Sequence, residues 1–183
     1  MASRLIQARK LHRVVAPILL APLMLAALTG VAARAGRSWF AMPKPLASWL
    51  YSLHEGGFLG EPLVPFYVLA MGLGLLGLCA TGLVLLRQQP ARSANVATHR
   101  RLHSSVALVA VLPLVMSASS GILFRLLESW GHLPEEQIEW LMDLHQGAWL
   151  GDALKPVYVV LVGLGLVVLL GSGVTMLRRA RLH

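Results

Sequence analysis

Four stretches of the chain carry almost no charge, at residues 14–33, 63–86, 105–127 and 154–177, and Arg125 and Lys155, each near an end of its stretch, are the charged side chains within them. A hydrocarbon core of about 30 Å takes roughly 20 residues of helix, so the pattern predicts four transmembrane helices. Pro17, Pro22 and Pro113 fall inside these runs; a membrane helix tolerates proline where its neighbours re-satisfy the freed carbonyls. Two shorter patterns lie between the spans. Pro134-Glu135-Glu136 opens a helix with proline and acids in its first turn. Ile138, Leu141, Leu144 and His145 then recur at helical spacing, and Gly147 ends the run. Residues 45–54 read the same way, closed by Gly56-Gly57. Trp39, Trp49, Trp130, Trp140 and Trp149 fit an interfacial belt of indoles, which accounts for them without a redox role.

The pattern is written twice. Residues 9–87 align with residues 100–178 at a constant offset of 91 without a gap, and 32 of those 79 positions are identical. The matches include Pro22/Pro113, Gly30/Gly121, Arg34/Arg125, Tyr67/Tyr158, Gly72/Gly163 and Gly82/Gly173, and two histidine pairs, His12/His103 and His54/His145. Each unit holds two spans, so both units enter and leave on one side. That predicts parallel repeats about a pseudo-two-fold axis along the membrane normal, with equivalent residues meeting at equal depth. The expected organisation is a single all-α membrane domain over 1–183, with repeats 9–87 and 100–178 joined by a cytoplasmic linker at 88–99. Ala33-Arg34-Ala35 after a basic stretch and an apolar run resembles a signal-peptide cleavage site. The third span matches that run in register from inside the chain, so the first span is read as retained.

Composition agrees with this reading. The 183 residues are 56% hydrophobic and 13% charged, against about 25% charged in soluble domains, and the mean hydropathy is +0.67. A net charge of +8 with a pI near 10.8 would ordinarily suggest nucleic acid. Its distribution argues otherwise. Eleven basic residues and no acid occupy the amino-terminal segment (Arg4, Arg9, Lys10, Arg13), the central loop (Arg87, Arg92, Arg100, Arg101) and the tail (Arg178, Arg179, Arg181). All eight acids lie in the other two loops. The excess therefore reports orientation, with both termini cytoplasmic, and no nucleic-acid partner is expected.

Chemistry is concentrated in the histidines. The pairs His12/His103 and His54/His145 place one His–His couple near each membrane face. Two imidazoles approaching from opposite sides suit a flat cofactor with two axial positions, with haem the leading candidate. Zinc wants three or four ligands, and no C-x-x-C-H attachment motif is present, so any haem is non-covalent and b-type. The single cysteine, Cys79, excludes an intramolecular disulfide and reads as packing. Arg34 and Arg125, at the outer ends of spans one and three, are candidates to pair with haem propionates or to snorkel at the interface. His99, His132 and His183 lack a repeat partner and read as ordinary polar residues. Residues 72–77 formally match G-x-G-x-x-G, but inside an apolar span with no preceding strand they form no dinucleotide site.

The doubled motifs resemble the PepSY-associated transmembrane family. Arg9-Lys10-Leu11-His12 and Arg101-Leu102-His103 are similar to its R-x-L-H start, and Leu53-His54-Glu55-Gly56 and Leu144-His145-Gln146-Gly147 to its L-H-x-G element. Thr81-Gly82 and Ser172-Gly173 resemble its closing pair. The resemblance implies a bacterial inner-membrane protein related to haem-containing ferric-siderophore reductases, with His12, His54, His103 and His145 as axial ligands to two haems b. Larger members insert periplasmic PepSY domains between spans, where this chain has short hairpins. The expected function is a di-haem electron carrier, a ferric-reductase-like oxidoreductase or its electron-transfer subunit. It would accept electrons from a quinol or a cytoplasmic reductase and deliver them to a periplasmic acceptor, ferric iron or a siderophore. The expected partners are membrane lipids, that donor and that acceptor, with a larger complex or a homodimer left open. A non-redox scaffold subunit is the alternative. A transporter fits less well, because no intramembrane carboxylate marks a pathway.

Overall fold

A computed structural model of the chain describes residues 2–87 and 98–179; Arg92, Arg181, His183 and most of the 88–99 linker lie outside the described residues. Among the described residues the chain is helical and has no strand. The helices are α1 (Ala2–Trp39), α2 (Lys44–Glu55), α3 (Val64–Arg87), α4 (Thr98–Ser129), α5 (Glu135–Gln146) and α6 (Lys155–Arg179). Four stretches are long and apolar enough to cross a membrane: Leu5–Trp39, Glu61–Arg87, Thr98–Ser129 and Lys155–Arg178. The first and third outrun the apolar segments read from the sequence. An apolar run marks the part that meets hydrocarbon, and no proline or glycine interrupts Ala2–Arg13 or Thr98–Ser104 to stop the helix there.

α1 packs on α3 and α6, and α4 packs on the same two, so the spans form a ring with α1 and α4 at opposite corners. α2 folds back along α1, and α5 folds back along α4. The bundle thus has a hairpin end, carrying α2 and α5, and a terminal end. Its middle is closed by Leu19, Leu23 and Ala27 of α1, Ala110 and Leu114 of α4, and Leu166 and Leu170 of α6. The outward faces stay apolar: Val109 of α4 is 79% exposed, and Ile18 of α1, Leu108 of α4 and Leu161 of α6 are exposed on their own helices. In lipid such a surface costs nothing, because the solvent is as apolar as the side chains.

Both short helices end in the same way. Gly56 (φ 85°) and Gly147 (φ 70°) adopt the left-handed conformation, and their amides cap carbonyls of the last turn. A Cβ at either glycine would overlap a tyrosine ring, Tyr67 against Gly56 and Tyr158 against Gly147. These corners turn the chain into α3 and α6 with a histidine in the turn just before each glycine.

Candidate functional site

The four repeat-matched histidines are anchored alike, each through Nδ1. At the hairpin end, His54 Nδ1 lies 2.7 Å from the Ala26 carbonyl of α1, and His145 Nδ1 lies 2.8 Å from the Ser117 carbonyl of α4. A helical carbonyl accepts one bond from the amide four residues on and keeps a second lone pair. The residue four positions on is Gly30 in one case and Gly121 in the other. A Cβ at Gly30 would stand 2.9 Å from His54 Nδ1, and one at Gly121 would stand 3.0 Å from His145 Nδ1. The glycines therefore open the helix surface on which the imidazoles seat.

At the terminal end each Nδ1 meets a hydroxyl, and the Leu78 and Leu169 carbonyls also hydrogen-bond His12 and His103. His12 Nδ1 is 2.9 Å from Thr81 Oγ1, and His103 Nδ1 is 2.9 Å from Ser172 Oγ. Thr81 donates its own proton to the Gly77 carbonyl at 2.7 Å, and Ser172 donates to the Val168 carbonyl at 2.6 Å. A hydroxyl has one proton, so each must accept from its histidine. At all four rings Nδ1 is thus the protonated donor and Nε2 keeps its lone pair, the tautomer of a metal ligand oriented by an outer partner. At His54 and His145 the side-chain hydrogen bond is made by Nδ1, not Nε2.

The structure brings one of the two pairs together. The His54 and His145 rings meet in an edge contact, with centroids 6.1 Å apart and planes at 72°. Metal–imidazole bonds of about 2 Å on each side place two ring centres about 6 Å apart, so one metal fits between them. His12 and His103 make no ring contact. Among the described residues no group of three or more His, Cys, Asp or Glu side chains could hold a metal ion. A porphyrin iron asks the protein for only two axial ligands, which a histidine pair can supply.

His54 and His145 line a cavity of about 240 Å³ between the four spans. Its other walls also come in repeat-matched pairs: Gly30 and Gly121, Arg34 and Arg125, Tyr67 and Tyr158, Gly72 and Gly163, Leu75 and Leu166. Leu23 and Leu114 of the central core also line it. Burial pushes the His145 imidazole down to about 4, and the neighbouring His54 adds to the effect. It is therefore neutral at ordinary pH, as a ligand must be.

The rim is less symmetric. Arg34 hydrogen-bonds the neutral amide of Gln146. Its counterpart Arg125 pairs with the carboxylate of Glu55 and also with Glu128, at 2.7 Å. Burial raises the Glu55 carboxyl above its ordinary range, and Arg125 opposes that shift. The Tyr67 and Tyr158 hydroxyls are buried and have no hydrogen-bond partner among the described residues. Cys79 packs against the central core.

Sequence reasoning placed the histidines and Arg34 and Arg125 but missed the roles of Thr81, Ser172, Tyr67 and Tyr158. The signal was present, since a hydroxyl stands at both 81 and 172 and a tyrosine at both 67 and 158. Residues 32–138 match the family model described as the PepSY-associated TM region. No curated protein matches the chain, and no solved structure does.

Proposed function

The chain belongs to the PepSY-associated TM family, and on that premise we propose that it is a di-haem b-type electron-transfer protein of the bacterial inner membrane. It carries electrons from a cytoplasmic or quinol donor at the terminal end to a periplasmic acceptor at the hairpin end, with ferric iron or a siderophore as the expected acceptor. One observation carries the reading: the His54 and His145 rings lie 6.1 Å apart and line one cavity, with each Nδ1 committed to a carbonyl. His12 and His103, with the same tautomer fixed by Thr81 and Ser172, are the ligands of the second site. Held by such histidine pairs, haem would supply one-electron chemistry. The residues around the hairpin-end pair seat both rings and line an apolar slot. A scaffold subunit would have no use for four histidines aligned as bases with nothing to bind.

A pyridine haemochrome assay on the purified protein tests the proposal. Two haems b per chain are expected, and the His54→Ala, His145→Ala double variant should retain one. A wild-type protein with no reduced-minus-oxidised b-type spectrum overturns the reading, as does a double variant that keeps both haems.

A further inference from the structure

The two orphaned hydroxyls point to how the hairpin-end cavity receives its occupant. A buried hydroxyl without a partner costs about 1–3 kcal/mol, so one such group asks for an explanation and a repeat-matched pair asks for a common one. Tyr67 and Tyr158 both line the cavity, and both hydroxyls are buried and unpartnered among the described residues. Their rings are fixed from behind, because Gly56 and Gly147 offer no Cβ to push them away. Each tyrosine is thus held as a donor or acceptor for whatever fills the slot.

The charges beside them indicate which. Arg125 is neutralised by Glu55 and again by Glu128. Among the described residues Arg34 hydrogen-bonds the uncharged Gln146 and forms no salt bridge, and the position that matches Glu128 in the first repeat is Arg37. The Arg34 side of the rim therefore keeps net positive charge, and the Arg125 side does not. Unpartnered hydroxyls and a guanidinium without an acid partner, lining one cavity, together suit a carboxylate.

Resting on the haem reading above, we infer that Tyr67, Tyr158 and Arg34 seat the propionate carboxylates of the hairpin-end haem, while Arg125 is a structural cation already held by its two acids. The two arginines, equivalent in sequence, thus divide into one that binds the cofactor and one that ties α4 to α2.

Haemin and haemin dimethyl ester, which lacks the free acids, separate the acid contacts from axial ligation. The full-length chain, stripped of cofactor in detergent, is titrated with each, and the ratio of the two affinities is compared between wild type and variants. The terminal-end site contributes equally to both proteins, so a change in the ratio reports the hairpin end. Wild type should prefer the free acid by about tenfold or more, the usual value of a hydrogen bond to a charged group. Tyr67→Phe with Tyr158→Phe keeps both rings against their glycines and should bring the ratio most of the way to one. Arg34→Gln should lower it too, and Arg125→Gln combined with Glu55→Gln should leave it unchanged. An unchanged ratio in the tyrosine double variant and in Arg34→Gln overturns the inference and leaves the haem reading standing. A wild type that binds neither compound with a b-type spectrum overturns the haem reading itself.

Discussion

A histidine offers a metal one nitrogen at a time, and the partner of the other nitrogen decides which. In this chain that partner is a backbone carbonyl for His54 and His145 and a hydroxyl for His12 and His103. The difference has a consequence, since a carbonyl cannot be mutated away and a hydroxyl can. Thr81→Val keeps the shape of the side chain, and Ser172→Ala removes little volume, yet together they remove the hydroxyl that each terminal-end Nδ1 meets at 2.9 Å and leave the Leu78 and Leu169 carbonyls as the remaining partners. Outer partners of this kind are worth about 10–100-fold in metal affinity. The Thr81→Val, Ser172→Ala protein should therefore lose the terminal-end haem on washing while retaining the hairpin-end haem. Haem per chain before and after washing checks this, and equal retention of both would count against the assignment. The histidines themselves were legible because they recur at the offset of 91 with identical identity. Their partners were less so: threonine matched to serine is no identity, and only the fold shows that α3 and α6 bring those hydroxyls to α1 and α4. The carbonyls of Ala26 and Ser117 have no sequence signature of their own; the glycines four residues on are the trace they leave.

At the scale of the elements, the site depends on two helices meeting without a side chain between them. His54 sits at the end of α2, and its ring lies on α1 over Gly30; His145 at the end of α5 lies likewise on α4 over Gly121. Small residues in membrane helices usually mean close helix–helix contact, and the sequence alone could not say which glycines do this and which seat an imidazole. The structure separates them. Gly72 and Gly163 receive Ile122 and Val31 from neighbouring spans, ordinary knob-and-gap packing. Gly77 has nothing within 4 Å of a would-be Cβ. A methyl at Gly30 is therefore expected to push the His54 ring off the Ala26 carbonyl, at a cost of about 1–3 kcal/mol for overpacking. Gly77→Ala should change stability by no more than about 1 kcal/mol, the scale of helix propensity. Thermal unfolding of the two variants in detergent, with haem content read alongside, distinguishes them: Gly30→Ala should melt earlier and lose the hairpin-end haem, and Gly77→Ala should do neither. The short helices were legible from proline starts and glycine stops, and their bounds agree with the pattern to a residue at each end. The ends of α1 and α4 were not, because hydropathy senses the lipid and the backbone does not stop where the lipid does.

At the scale of the molecule, the two histidine levels lie on the same helices at a fixed interval. On α1, His12 and Ala26, which holds His54, are separated by 14 residues, and on α4 His103 and Ser117 repeat that interval. At 1.5 Å per residue this is about 21 Å along the axis, short of the 30 Å of hydrocarbon, so each level falls just inside one face. Between them stands an apolar core of Leu19, Leu23, Leu114, Leu166 and Leu170. On the proposed reading, with a redox group at each level, apolar packing between the levels suits the passage of electrons. If the proposed function holds, the terminal-end pair is an obligatory stage for electrons arriving on that side and irrelevant to electrons arriving on the other. In proteoliposomes sorted for a single orientation, a membrane-impermeant reductant on the terminal side should reduce the hairpin-end b-type signal in wild type. It should fail to do so in the His12→Ala, His103→Ala variant. The same reductant on the hairpin side should reduce that signal in both proteins, which shows that the variant still folds and still binds at the hairpin end. Transfer from the terminal side that survives loss of His12 and His103 would mean that the two levels are not stages of one path.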